Sequence, residues 1–205
     1  MTIEMIVLAA GNSRRFGSNK LLYEIEGTPM YAHIFQQLVK VQVRINQYRA
    51  EGRTHTTSYG DGITVRISVV TQYEEIASAA CVLGMKVLYN PHPEQGISSS
   101  LRIGLEDSLD ADACLFTVSD QPWLTFETIE SLVQTFVSSG KGIACVCSNG
   151  HLGNPCIFSK NYYRELLALT GDAGGKRVVA AHLDDTVLLE VSDRKELTDI
   201  DRRQE

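Results

Sequence analysis

Lys20 closes a segment whose residue types suit phosphate chemistry: Leu8-Ala9-Ala10-Gly11-Asn12-Ser13-Arg14-Arg15-Phe16-Gly17-Ser18-Asn19-Lys20. Small residues at Ala9, Ala10 and Gly11 let backbone N–H groups approach a ligand closely, and such groups suit phosphate oxygens. Arg14, Arg15 and Lys20 add the cations that would offset the charge of a triphosphate. Two commoner phosphate loops are excluded by spacing. A P-loop needs glycine, four residues, then Gly-Lys-Ser/Thr, whereas Lys20 follows Gly17 by three; the G-x-G-x-x-G fingerprint is absent as well. Read alone, the segment also fits an ordinary strand-to-helix turn with solvated arginines.

Further candidates are scattered along the chain. Asp120 follows the apolar run at 113–118 and precedes Gln121-Pro122. A carboxylate at the carboxyl end of a buried strand, close to a triphosphate, is a natural Mg²⁺ ligand; Asp-Gln-Pro is also ordinary turn composition. Gly96-Ile97-Ser98-Ser99-Ser100 opens a helical pattern. Its amides and hydroxyls could bond a base edge or ribose, or simply cap the helix. The five histidines show no metal-binding spacing, and no Ser-His-Asp arrangement is evident. The five cysteines (Cys81, Cys114, Cys145, Cys147 and Cys156) are odd in number and lie mostly in apolar stretches. They read as core thiols in a reducing cytoplasm rather than a disulfide scaffold. Cys145 and Cys147 are expected to share a strand face.

The elements that must position these residues alternate. Apolar runs at 3–9, 65–71, 86–89, 113–118, 143–147, 156–158 and 186–191 read as strands. Helical patterns at 74–83, 98–109, 125–137, 161–169 and 176–182 separate most of them. Thr28-Pro29 reads as a cap and first-turn proline opening a helix to about residue 40. The alternation implies an α/β fold of three layers with a mostly parallel sheet. Residues 44–62 are polar and aperiodic and read as a loop excursion within one domain spanning 1–205. A net charge of −6 and 21% charged residues argue against a nucleic-acid partner. No apolar run is long enough to cross a bilayer, and residues 1–10 lack a signal-peptide pattern.

The string Leu8-Ala9-Ala10-Gly11-x-Ser13-x-Arg15-Phe16-Gly17-x-x-Lys20 resembles the signature of the Rossmann-like nucleotidyltransferases. Within them it is most similar to the molybdenum cofactor cytidylyltransferases and related accessory proteins of molybdenum hydroxylases, the MobA-like group. The similarity continues through Asn90-Pro91, Gly96 to Leu101, Asp120-Gln121-Pro122, Gly153-Asn154-Pro155, Gly171-Asp172-Ala173-Gly174 and Asp199-Ile200-Asp201. These islands span nearly the whole chain in the family's order.

The resemblance implies that Leu8, Ala9, Ala10, Gly11, Asn12, Ser13, Arg15, Lys20, Asn90, Gly96, Ser98 and Ser99 contact a nucleotide. It implies catalytic roles for Lys20, Arg15 and Asp120, and Mg²⁺ ligation by Asp120 and Asp201. Asn154, Asp172 and Lys176 become candidates for the acceptor side. Three departures from the family stand out. Asn154 replaces a common histidine, Lys176 a common arginine, and Arg202-Arg203-Gln204-Glu205 the usual residues after Asp201. Ala10, where guanosine-specific relatives have glycine, associates the loop with CTP. The reaction implied is transfer of CMP from CTP to a molybdopterin-type cofactor, releasing pyrophosphate, with a molybdenum hydroxylase as client. The alternatives are GTP, a sugar or alcohol phosphate as acceptor, or a carrier without turnover.

Overall fold

The computed structural model describes residues 1–13, 16, 19–50 and 62–201. Strand β1 (Thr2–Ala9) is apolar on both sides and is buried on both. Ile3, Met5, Val7 and Ala9 join one core cluster, while Ile6 joins a second on the opposite face. That alternation is what a strand covered by helices on both faces requires. Its one charge, Glu4, is buried and accepts a 2.8 Å bond from Arg66 Nε.

A short hairpin follows, β2 (Glu24–Ile25) against β3 (Thr28–Pro29), and then helix α1 (Met30–Ala50). Thr28-Pro29 is therefore a strand end and not a helix cap. The turn between the strands has φ of 52° at Glu26 and 75° at Gly27, the two positive values of a tight hairpin turn. Helix α1 also runs past the expected end near residue 40 to Ala50, taking in the first part of the expected excursion. Residues 51–61 lie outside the described residues.

The remaining elements are β4 (Thr64–Thr71), α2 (Glu74–Val82), β5 (Lys86–Tyr89), α3 (Ile97–Glu106), β6 (Ala113–Val118), α4 (Phe126–Ser139), β7 (Ile143–Ser148), β8 (His151–Ser159), α5 (Tyr163–Leu167), α6 (Lys176–Ala181) and β9 (Thr186–Glu190). Seven strands form one sheet in the order β5-β4-β1-β6-β8-β7-β9. Only β8 is antiparallel to its neighbours, so the sheet is mostly parallel, as its apolar runs imply.

Helices α1, α2 and α4 pack Met30, Ile34, Phe35, Leu38, Ile76, Ile129, Leu132 and Val133 onto one face. Helices α3, α5 and α6 pack Leu101, Leu105, Leu166, Val178 and Val179 onto the other. Each fully buried aliphatic side chain of this kind contributes roughly 1.5–3 kcal/mol. The result is the three-layer α/β architecture that the alternation of elements implies. Thr125 caps α4 as expected, its hydroxyl accepting from Thr128 N at 3.3 Å.

The thiols divide as follows: Cys114, Cys145, Cys147 and Cys156 are buried and Cys81 is exposed. The pairing of β7 with β8 shifts register between Cys145 and Cys147. Cys145 packs in the second core cluster and faces Cys156, while Cys147 approaches Glu190 at 3.1 Å.

Candidate active site

The site forms where chain order departs from strand order, at the carboxyl ends of β1 and β6, the usual ligand crevice of an open α/β sheet. Side chains from the adjacent strand ends hold the loop after β1 by its carbonyls. Ser119 Oγ donates to Leu8 O at 3.0 Å, Thr71 Oγ1 to Ala9 O at 3.0 Å, Gln72 Nε2 to Ala10 O at 2.7 Å and Tyr73 OH to Gly11 O at 2.8 Å. The N–H groups of Gly11, Asn12 and Ser13 find no backbone acceptor among the described residues. Consecutive amides of this kind suit an anion. Ser13 has φ of 48°, and its hydroxyl accepts from Lys20 N at 3.2 Å. Asn19 Oδ1 accepts from Leu21 N at 3.1 Å, and buried Leu21 anchors the 3₁₀ turn that presents Lys20.

Lys20 Nζ lies 2.8 Å from Asp120 Oδ2 and 3.1 Å from Asp201 Oδ1. Burial alone would lower the lysine's pKa. The two carboxylates outweigh burial and hold it above the ordinary value, so the ammonium stays charged. Asp201 arrives on a C-terminal segment docked against the β6–α4 connection. Ile200 N donates to Asp120 O at 3.0 Å and the Ile200 side chain is buried in the core. Gln121 Nε2 donates to Leu197 O at 3.2 Å and Asp199 Oδ1 at 2.7 Å; Thr125 Oγ1 donates to Glu196 Oε2 at 2.9 Å. Partial desolvation, then the charge of Asp120, raises the Asp199 carboxyl above the usual range, with the Gln121 bond opposing.

Two cavities meet at Asp120. The first, of 390 Å³, is lined by Leu8, Ala10, Gly11, Asn12, Ser13, Lys20, Gly96, Asp120, Asp172 and Asp201, together with Pro93, Glu94 and Ser100. The second, of 440 Å³, shares Leu8, Asp120 and Asp172 and adds Asn154, Cys156, Lys176 and Asp199. The structure thus brings together most of the candidate residues of the sequence. Ala9 is not among them, since its side chain packs into the first core cluster.

Asn90, Ser98 and Ser99 also stay out of both linings. Asn90 Nδ2 donates to Ser99 Oγ and Ser100 Oγ at 2.9 Å each, and Ser99 Oγ donates to Gly96 O at 2.9 Å. Buried polar groups paired in this way hold the start of α3 rather than face a ligand. Arg15 lies outside the described residues. Glu94 and Ser119 join the site without a motif of their own to mark them, and Asp199 joins it as well. For Asp199 a signal existed: it shares its Asp-Ile-Asp with Asp201, where period-two alternation places both carboxylates on one side.

Gly96 explains why two glycine islands far apart in sequence belong together. It has φ of 87°, and a Cβ there would stand 2.4 Å from the Gly171 carbonyl. Ser98 N donates to that same Gly171 O at 3.1 Å. The contact sets Asp172 at the boundary between the cavities.

For a divalent cation the donor set fits. Asp120 Oδ1 is buried and has no hydrogen-bond partner among the described residues, while Oδ2 holds Lys20. The Asp201 side chain remains 60% exposed. Among the described residues no group of three or more His, Cys, Asp or Glu side chains could hold a metal. No helix among the described residues is long and apolar enough to cross a membrane.

Comparison with known proteins agrees with the fold. The family described as the MobA-like NTP transferase domain matches residues 5–187. A Pyrococcus horikoshii protein named as a probable molybdenum cofactor guanylyltransferase is 30% identical over 169 residues, 82% of this chain and 74% of that protein. The purine catabolism protein PucB of Bacillus subtilis is 25% identical over 201 residues, 98% of this chain and 92% of PucB. Among solved structures, a nucleotidyl transferase from Methanothermobacter superposes with a TM-score of 0.67 at 20% identity, covering 98% of this chain and 92% of that one.

Proposed function

The chain belongs to the MobA-like NTP transferase domain family, and from that premise we propose that it transfers CMP from CTP to the phosphate of a molybdopterin-type cofactor, releasing pyrophosphate. The observation that carries this reading is the contact of Lys20 with Asp120 and Asp201 in the first cavity, with Asp120 also in the wall of the second. A triphosphate in the first cavity and an acceptor phosphate in the second would converge on these groups.

The amides of Gly11, Asn12 and Ser13 receive phosphate oxygens, and Lys20 turns its charge toward the α-phosphate. An oxygen of the acceptor phosphate attacks the α-phosphorus in line, and the bond to pyrophosphate breaks. Asp120 and Asp201 would hold Mg²⁺. When bound, the ion neutralises charge on the triphosphate and its leaving group. Asn154 and Lys176 line the acceptor side and bind the second substrate. No titrating general base is required, since the acceptor phosphate is already an anion. The free thiols suit a reducing, cytoplasmic setting. The reading treats the chain as one domain.

GTP is the second nucleotide reading, favoured by the name of the Pyrococcus relative. Ala10, in the wall of the first cavity, favours CTP. The test is pyrophosphate release by the purified protein with Mg²⁺ and each of CTP, GTP, ATP and UTP, with and without molybdenum-loaded molybdopterin. Pterin-dependent release with CTP supports the proposal; preference for GTP replaces the nucleotide. No release with any pair overturns it in favour of a different acceptor or a carrier without turnover.

A further inference from the structure

Cys145 on β7 and Cys156 on β8 stand directly opposite each other in an antiparallel pair. Their sulfurs are 3.3 Å apart, and both thiols point toward Gly153 O, at 3.5 Å from Cys145 and 3.3 Å from Cys156. Opposed residues of an antiparallel pair have Cα atoms about 4.5–5.5 Å apart, within the roughly 4.4–6.8 Å that a disulfide spans. Both side chains belong to the same core cluster, so bond closure needs side-chain rotation and little strand movement. Cys156 also forms part of the wall of the second cavity, beside Asn154 and Lys176.

The pair differs from the other buried thiols. Burial pushes Cys114 up to about 12, and burial together with the neighbouring Glu190 pushes Cys147 up to about 11. At Cys145 the S–H donated by Cys156 outweighs burial and lowers the pKa, while the same bond and then burial raise that of Cys156. With the sulfurs 3.3 Å apart, whichever one is oxidised has the other in place to resolve the product.

We propose that Cys145 and Cys156 form a redox modification site, which a peroxide entering the second cavity converts from a dithiol to a disulfide. One thiolate of the pair attacks a peroxide oxygen, the O–O bond breaks, and the hydroxide released takes up a proton to leave as water. The second thiol then attacks the resulting sulfenic sulfur, and a second water leaves as the S–S bond forms. Two electrons pass from the sulfurs to the peroxide. Closure draws Cys156 toward β7 and reshapes the wall next to Asn154 and Lys176. The first cavity has no cysteine in its lining and keeps its shape. The consequence for the acceptor rests on the function proposed above; the bond itself does not.

The experiment uses the full chain carrying Cys81→Ser, which removes the exposed thiol. After hydrogen peroxide treatment, alkylation and digestion, mass spectrometry should find Cys145 joined to Cys156, reversed by dithiothreitol and lost in an additional Cys156→Ser or Cys145→Ala variant. The cross-link in the parent chain is read directly, so it stands even if a further variant folds poorly. Calorimetry with CTP should give the same affinity before and after oxidation. Recovery of Cys145 and Cys156 as alkylated thiols or sulfinic acids, or a bond to Cys147 or Cys114 instead, overturns the proposal. An altered CTP affinity overturns its placement at the second cavity. Absence of turnover in the reduced protein would count against the proposed reaction alone, because the cross-link is scored without it.

Discussion

Lys20 Nζ and Asp120 Oδ2 are 2.8 Å apart although 100 residues separate them in the chain. The cation offered by the β1 loop and the carboxylate offered by the end of β6 therefore form one unit, with Asp201 as a third member at 3.1 Å. The lysine side chain is only 15% exposed, so its charge is poorly screened and balances the two carboxylates.

Lys20→Met tests both faces of this unit. Turnover should fall by about 10²–10³-fold, the usual effect of removing one electrostatic group from a transition state. Mn²⁺ binding without nucleotide, followed by electron paramagnetic resonance, should tighten, because two carboxylates lose their resident cation. Weaker Mn²⁺ binding in the variant would mean that lysine and metal cooperate rather than compete.

Gly96→Ala should be more damaging than Gly171→Ala. Gly96 combines φ of 87° and ψ of −177° with a Cβ position 2.4 Å from the Gly171 carbonyl. That backbone region is nearly glycine-only and costs about 1–3 kcal/mol for other residues, before any clash is counted. Gly171 also has positive φ, 63°, but a Cβ there meets nothing within 4 Å. Thermal melts of the two variants should show the larger drop for Gly96→Ala, and its nucleotide affinity should fall because α3 moves away from the first cavity. Equal melting points would remove the contact as the reason for the glycine.

The strands are the most legible part of the sequence. Runs such as ACLFTV at β6 and IACVC at β7 fall where the periodicity places them, because a strand buried on both faces must be apolar throughout. Turn chemistry is harder to read beside such runs. Asn149-Gly150, with φ of 51° and 77°, joins β7 to β8, and this dipeptide is a strong hairpin signal that marks the full length of β8. Asp120 is legible because it follows an apolar strand end, the place where an open α/β sheet binds its ligand, whereas Lys20 and Asp201 are marked by the family resemblance of the loop signature and of Asp-Ile-Asp. Asn90 and Ser99 show the limit. A polar side chain facing a ligand and one bonded inside the fold are written with the same letters, and only the Asn90–Ser99–Ser100 bonds separate the two.

Glu4 gives a pH dependence that is independent of the site. Burial raises its carboxyl above the ordinary glutamate value, although Arg66 pulls the other way. A group with a raised folded pKa contributes stability that is fully present below its unfolded value and is lost as pH rises through the folded value. Glu4→Gln should therefore melt close to wild type near pH ~4, around the ordinary glutamate value, and gain on it toward neutral pH, with Arg66 still held by Asp110 at 2.8 Å. A wild-type advantage that grows with pH would show that the ion pair dominates burial.

Gln121 is the residue on which the position of Asp201 turns. Its amide donates to both Leu197 O and Asp199 Oδ1, and it is itself buried. The Asp201 side chain bonds Lys20, and its place depends on the docking of the residues before it. Gln121→Leu fills similar space and deletes both donors, at a cost of about 1–3 kcal/mol for the acceptors left unpaired. The C-terminal segment would keep its Ile200 and Glu196 anchors but lose the one nearest Asp199. Pyrophosphate release should then need more Mg²⁺ for half-maximal rate, while the rate at saturating Mg²⁺ recovers most of its wild-type value. A Mg²⁺ titration of both proteins separates the cases: a rate that stays low at all Mg²⁺ concentrations would place Gln121 in substrate contact instead. An unchanged half-maximal concentration would show that Ile200 and Glu196 alone hold Asp201 against Lys20.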